Sequence, residues 1–150
     1  MKNIELKEPF DLFGIECSEG WMKIIEPILN YIKEYNLNKE KEKQIKIYQI
    51  KEKFGMLRVY TNFVTDKLKE LIHEAEYQST RTCELCGSQE NVGHTVGGWI
   101  TTCCENCVTQ MVNKRKILYK WKPNNCDENI KWYEIKPNQE KEVIYVNTKV

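Results

Sequence analysis

The spacing of apolar residues predicts two amphipathic helices. In residues 20–35, GWMKIIEPILNYIKEY, apolar side chains recur at helical intervals with lysines and glutamates between them. Pro27 lies inside this segment, so we expect the helix to kink there or to start there. Residues 65–80, TDKLKELIHEAEYQST, repeat the helical pattern, and Thr65 is the expected N-cap.

Between these helices the pattern changes to one apolar residue in two. Residues 44–63 alternate in this way, and the break at KEKFG predicts two strands that form a hairpin turning near Phe54-Gly55. After residue 117 the stretches ILYKW, IKWYEI and EVIYV are separated by KPNNCDEN and KPNQEK, which have the composition of turns. These stretches predict three further short strands.

Five of the seven cysteines fall within residues 81–110. Cys83-x2-Cys86 is followed after 17 residues by Cys104-x2-Cys107. Two residues between thiolates let one tight turn present both sulfurs to a tetrahedral ion, and two such pairs complete a four-cysteine shell. We therefore predict one structural zinc ion per chain, bound by these four cysteines.

The residues around the cysteines predict a treble-clef zinc finger. Gly87 permits the positive φ of a first knuckle, Gly97-Gly98 suits a hairpin, and VTQMVNKRK follows as a helix. A zinc ribbon, with both pairs on knuckles, is the alternative. Cys103 competes with Cys104 as a ligand and otherwise serves as a small core hydrophobe. His94 becomes a ligand only if a cysteine is released, and is otherwise a loop residue.

Together these elements predict an α+β fold. A helix–β-hairpin–helix is followed by the four-cysteine treble-clef (or zinc-ribbon) module and a short β-rich tail. The expected boundaries are 1–80 for the αββα domain, 81–117 for a zinc module docked on it, and 118–150 for the tail.

Composition points to a soluble intracellular protein. The chain of 150 residues has no apolar run long enough to span a membrane, and its first residues, MKNIELKEPFDLF, lack the features of a signal peptide. Seven cysteines cannot all pair, and clustered cysteines in a reducing compartment favour metal binding over disulfides.

The net charge is only +1, but its distribution is uneven. No acidic residue lies between Glu105 and Asp127, and Tyr119 and Trp121 alternate with cations in this interval. We call the cations of this interval the basic strip: Lys114, Arg115, Lys116, Lys120 and Lys122. With its aromatics it predicts a surface that neutralises phosphates and stacks on bases or on a partner. Alternatively, the two aromatics face a core and the lysines only solubilise the strand.

A second candidate surface is the hairpin tip, where Lys51, Lys53 and Arg58 lie close together in sequence. They suit a phosphate or a carboxylate. The alternative is a solvated charged turn with Phe54 packed inward.

We expect no catalysis. Four thiolates close the zinc shell, whereas a catalytic zinc keeps an open position, and the H-x-E motif of zinc deaminases is absent. Glu16, Cys17 and Glu19 resemble an acid pair with a nucleophile, but no histidine lies near them in sequence. The alternative is that Ser18 caps the first helix, with Glu19 near its positive end. Cys126 is expected to be an incidental exposed thiol, and His73 to be exposed and inert.

Three stretches, FGIECSEGW, QIKEKFGMLRVY and RTCELCG…GGWITTCCENC, resemble a group of small uncharacterised proteins encoded by bacteriophages, prophages and their bacterial hosts. The resemblance spans roughly residues 13–107, excludes the basic strip, and favours Cys104 over Cys103. Ser18-Glu19 stands where the group more usually has Gly-Asp. The resemblance implies a mobile-element protein in the bacterial cytoplasm and no particular activity.

Three functions follow as hypotheses. The first is a non-enzymatic zinc protein whose basic strip contacts nucleic acid or a nucleoprotein complex. The second is an effector that binds and inhibits a host or anti-phage protein, with Trp99, Trp121 and Trp132 as anchors. The third, a treble-clef nuclease, lacks the histidines that would activate water and hold a catalytic metal.

Overall fold

The computed structural model describes residues 14–146 and combines helices with strands, as predicted, and the strands form two β-sheets. The interpretation of residues 1–13 as lacking a signal peptide lies outside this range. The helices are α1 (Met22–Asn36), α2 (Asp66–Ser79) and α3 (Glu105–Arg115), and the strands are β1 (Ile15–Glu16), β2 (Ile47–Lys53), β3 (Met56–Thr61), β4 (Val92–Thr95), β5 (Thr102–Cys104), β6 (Tyr119–Pro123), β7 (Ile130–Ile135) and β8 (Lys141–Tyr145).

The first core lies between α1, α2 and a sheet of order β1-β2-β3. β1 runs parallel to β2, and β2 pairs antiparallel with β3. Fully buried side chains from both helices, from the hairpin and from the residues just before α1 and β2 meet here: Trp21, Ile25, Ile28, Ile32, Ile45, Ile50, Leu57 and Leu68. The periodicities of the two helices and the hairpin thus combine into one apolar layer.

The hairpin turns at Phe54-Gly55, as predicted. Their φ values of 54° and 80° are both left-handed, the combination found in type I′ turns. Phe54 does not pack inward, because its side chain is 74% exposed. That part of the sequence interpretation is wrong.

The two predicted helices are present, with one difference at Pro27. Helix α1 begins at Met22, before the proline, and continues through it, so a start at Pro27 is wrong. Pro27 is exposed, where water can satisfy the carbonyl that loses its amide partner. Thr65 caps α2 as expected, its hydroxyl accepting a hydrogen bond from the Leu68 amide at 3.1 Å.

The second core lies between α3 and an antiparallel sheet of order β5-β4-β6-β7-β8. Strand β6 pairs with β4, placing Trp121 opposite Thr95, so strands from beyond residue 118 share a sheet with the hairpin of the cysteine segment. The three strands predicted after residue 117 are present. Trp121 is 1% exposed and lies at the centre of this core, where its indole donates to the carbonyl of Cys103 at 3.0 Å.

In residues 14–146, every helix is too short or too polar to cross a bilayer.

Candidate metal centre and adjacent surfaces

Four cysteines converge at the junction of the two cores. The sulfurs of Cys83, Cys86, Cys104 and Cys107 all lie within 4.8 Å of one another, and those of Cys86 and Cys104 are 3.7 Å apart. A tetrahedral ion with metal–sulfur bonds of about 2.3 Å separates its ligands by about 3.8 Å. The cluster could therefore hold one metal ion.

The first cysteine pair lies on a tight turn. The Gly87 amide donates to the Cys83 carbonyl at 2.9 Å, and the Cys86 amide approaches the Cys83 sulfur at 3.5 Å. Gly87 has a φ of 84°, the left-handed value expected from its place after the pair.

The second pair opens α3. Cys104 is the N-cap of the helix, and its sulfur accepts from the amide of Cys107 at 3.4 Å. Both sulfurs therefore project from the first helical turn toward the first pair. Glu105, in the same turn, is bound by Lys141 at 2.6 Å, which ties β8 to the start of the helix.

Neither Cys103 nor His94 belongs to the cluster. Cys103 is fully buried in the second core, and its sulfur lies 3.7 Å from the Thr101 carbonyl. It alternates with Cys104 along β5, so its side chain points away from the metal position. His94 lies in β4 rather than in a loop, and burial together with Lys122 lowers its pKa.

Burial raises the pKa of the thiols of Cys104 and Cys107, and the charge of Cys83 adds to the effect. A buried group of thiolates is unfavourable without a cation. Metal binding therefore has to release protons from these thiols and supplies the positive charge that stabilises them.

The cysteine turn is docked on the start of α1. The Gly20 amide donates to the Glu84 carbonyl at 2.8 Å, and the Trp21 indole donates to the Thr82 carbonyl at 2.9 Å. A Cβ at Gly20 would lie 2.4 Å from the carbonyl oxygens of Cys83 and Glu84, so only glycine permits this approach. The residues before α1 therefore form the surface on which the cysteine turn packs.

Ser18 and Cys17 belong to this segment before α1. The Ser18 side chain makes no helix cap; instead its amide donates to the Glu84 carboxylate at 3.0 Å. Burial raises the pKa of Cys17 to about 12, and the negative charges of Glu84 and Glu52 add smaller increases in the same direction. A thiol held in its protonated form is a poor nucleophile, which argues against the acid–cysteine active site considered for this segment.

The basic strip divides between α3 and β6. Lys114 and Arg115 form the exposed last turn of α3, and Lys116 ends it in a left-handed conformation with φ 61°. Arg115 donates to the Tyr119 hydroxyl at 2.9 Å, and Lys120 lies 4.5 Å from the centre of the Trp132 ring. Trp121 is buried, which corrects its assignment to this surface.

The secondary surface lies on the hairpin. Lys51 is directly opposite Arg58 in the β2–β3 register, and Lys53 lies 5.9 Å from the centre of the exposed Phe54 ring. Arg58 is 3.9 Å from Glu76 of α2. Beside this tip lies the 96–101 loop with Trp99, whose side chain is 80% exposed.

Two clefts meet at Trp99. The larger, of about 670 Å³, is lined by Trp99, Ile117, Leu118, Arg115 and Lys120. The smaller, of about 320 Å³, lies between Trp99 and Phe54 and is bordered by Lys51 and Lys53. Trp99 thus connects the basic strip to the hairpin surface.

Sequence reasoning missed two features of this region. It did not identify Glu84 as the acceptor for Ser18, because that contact joins positions 66 residues apart. It also placed Phe54 inside, although a signal was present: Phe-Gly stands where Asn-Gly is the favoured pair for such a turn.

Comparison of the chain with protein-family models, with curated proteins and with solved structures gives no match. The resemblance to small phage and prophage proteins therefore stays a prediction.

Proposed function

We propose that the chain is a non-catalytic binding module in which one structural zinc ion, held in a treble clef, supports a surface for nucleic acid. The zinc part rests on the cysteine cluster: four sulfurs at tetrahedral spacing form a closed shell, and three of the four residues are buried. A turn bearing the first pair, a β-hairpin and a helix opening on the second pair are the parts of a treble clef.

One observation carries the proposal of nucleic-acid binding. Within residues 14–146, no carboxylate forms an ion pair with any cation of the basic strip. Cations in the last turn of a helix favour its negative end, which accounts for Lys114 and Arg115 alone. It does not account for Lys122, which continues the charge along β6, where Lys120 lies opposite Glu134 of β7. Cations on adjacent elements, none of them within 4.0 Å of a carboxylate of the described residues, suit a phosphate backbone.

The test is a fluorescence-anisotropy titration of the zinc-loaded full chain with labelled single- and double-stranded DNA and RNA, at low and at physiological salt. We expect affinity to fall steeply with salt. Lys114→Glu/Lys116→Glu should abolish binding. Lys23→Glu/Lys33→Glu changes the net charge equally at exposed positions of α1 and should leave binding intact. Absence of binding at low salt would overturn the proposal.

A second function, capture of a host or anti-phage protein, is favoured by Trp99. Of the three tryptophans suggested as anchors, Trp121 is buried and Trp132 is half-buried with Lys120 and Lys131 against its ring. Only Trp99 offers a widely exposed ring of the kind that anchors protein interfaces. Such binding would depend little on salt.

Nuclease activity has little support in the arrangement of the histidines. The chain has two, His73 on the exposed side of α2 and His94 in β4, and neither joins the cysteine cluster.

A further inference from the structure

Two aromatic side chains project from neighbouring turns and enclose the smaller cleft. Phe54 lies at the hairpin tip and Trp99 in the 96–101 loop, with exposed fractions of 74% and 80%. Burying apolar rings is the main driving force of folding, and neither ring contributes its full area to a core. Their positions therefore call for another explanation.

Phe54 is unfavourable for the turn that carries it. A left-handed φ costs an L-residue stability unless it is glycine, asparagine or aspartate, and an aromatic residue has no local hydrogen bond to offset this. The exposed ring gains little packing in return. Strained residues that the fold does not need concentrate at binding sites.

Trp99 is held through its backbone and not through its ring. The buried Thr95 hydroxyl donates to the Trp99 carbonyl at 3.0 Å and accepts from the Thr101 amide at 2.8 Å. The two turns are also joined, because the Thr102 hydroxyl donates to the Gly55 carbonyl at 2.5 Å. The backbones that carry the two rings are thus tied in place before any ligand arrives, which lowers the entropic cost of binding.

The rim of the cleft favours an anion. Lys51 and Lys53 border it, whereas Arg58, opposite Lys51, lies 3.9 Å from Glu76 of α2. The acid that borders it, Glu52, has one carboxylate oxygen occupied by the Gly55 amide at 2.8 Å. Two lysines and one carboxylate leave the rim with a net positive charge.

We propose that Phe54 and Trp99 form a stacking slot for an unpaired nucleotide, with its flanking phosphates on Lys51 and Lys53. A flat group between two rings and a negative charge on two lysines together describe a nucleotide of single-stranded DNA or RNA. Bases in a duplex are already stacked and cannot enter. The slot rests on the proposed function, and it gives the module a preference for single strands.

The experiment follows the intrinsic fluorescence of Trp99 while the zinc-loaded full chain is titrated with dT12, with U12 and with a blunt duplex. Trp21 and Trp121 are buried, and a Trp132→Phe background removes the half-buried indole that lies against Lys120 of the basic strip, so quenching in that background reports mainly on Trp99. Parallel anisotropy titrations give the affinities. The dT12 and U12 arms separate DNA from RNA.

Matched variants separate aromatic stacking from simple apolarity. Trp99→Leu and Phe54→Leu keep an apolar side chain but remove the ring, and each should weaken single-strand binding by about 5- to 150-fold. Trp99→Phe and Phe54→Tyr keep the ring and should stay within about 3-fold of wild type on the same scale. Lys51→Gln/Lys53→Gln should reduce the salt slope for single strands by about 1.4.

Three results would overturn the slot. If wild type binds nucleic acid but both leucine variants bind dT12 and U12 as it does, the slot is refuted while the proposed function stands. Equal quenching by the duplex would likewise refute it. If wild type binds neither strand type, the proposed function fails with it, and the rings are left as anchors for a protein partner.

Discussion

The indole nitrogen of Trp21 donates a hydrogen bond to the backbone carbonyl of Thr82, 2.9 Å away and 61 positions later in the chain. The next residue after Thr82 is the first cysteine of the cluster. The first core thus holds the cysteine turn in place through Trp21, a side chain that is completely buried in that core.

Gly20→Ala should destabilise the protein by about 1–3 kcal/mol, because its Cβ would overlap the carbonyl oxygens of Cys83 and Glu84. Urea unfolding of the metal-loaded protein measures this change. Gly14→Ala is the control, since a Cβ there meets no atom within 4 Å. Equal stability of the two variants would show that the cysteine turn does not pack against Gly20.

Cys104→Ala should lose the bound metal, whereas Cys103→Ala should retain about one ion per chain, because only Cys104 directs its sulfur into the cluster. Metal content measured by mass spectrometry after dialysis distinguishes the two. The reverse result would assign the third ligand to Cys103.

Cys17 should make stability depend on alkaline pH. Burial and the Glu84 and Glu52 carboxylates raise its pKa from 9.0 to about 12 in the folded protein. Its contribution is complete below pH 9 and is lost as the pH rises toward 12, because the unfolded chain releases the proton first. Between pH 8 and 10.5 the free energy of unfolding of wild type should fall more steeply than that of Cys17→Ala. Parallel curves would contradict the assigned pKa.

Asn36→Ala should cost about 1–3 kcal/mol. The buried Asn36 amide accepts from the Ile45 amide at 2.8 Å and donates to the Ile45 carbonyl at 2.9 Å, so truncation leaves both groups unsatisfied. Thermal and urea unfolding provide the measurement. Asn30→Ala, on the exposed side of the same helix, should change stability much less.

Phe54→Asn should stabilise the hairpin by about 1 kcal/mol, because asparagine tolerates the left-handed φ that strains phenylalanine. The same change should weaken binding to single strands. Denaturation and anisotropy on one preparation measure both effects. A variant that loses stability would show that the Phe54 ring supports the fold.

The helices, the hairpin and the cysteine pairs were predictable because each depends on residues close in sequence. Thr65 caps α2, and Phe54-Gly55 turns the hairpin, through contacts spanning a few positions. The pairing of β6 with β4 was not predictable, since alternation in LYKWK shows which residues share a face but not which strand lies beside them.

The candidate site was likewise predictable where it depends on residues close in sequence, and not where it depends on distant neighbours. Spacing identified the four cysteines, but the burial of Trp121 and the exposure of Phe54 depend on neighbours more than 15 positions away in sequence. In an alternating strand that carries an aromatic residue, the sequence alone does not show which face packs against the core. That depends on the layer that lies opposite the strand.

The division into two cores has a consequence for biogenesis. All buried members of the first core fall between residues 21 and 75, and all those of the second between 83 and 135. A ribosome releases the chain from its N-terminal end, so the first core can form while the cysteines are still inside the ribosome. Gly20 and Trp21 would then already be in position when the cysteine turn packs against them, and metal binding would be a late step of maturation.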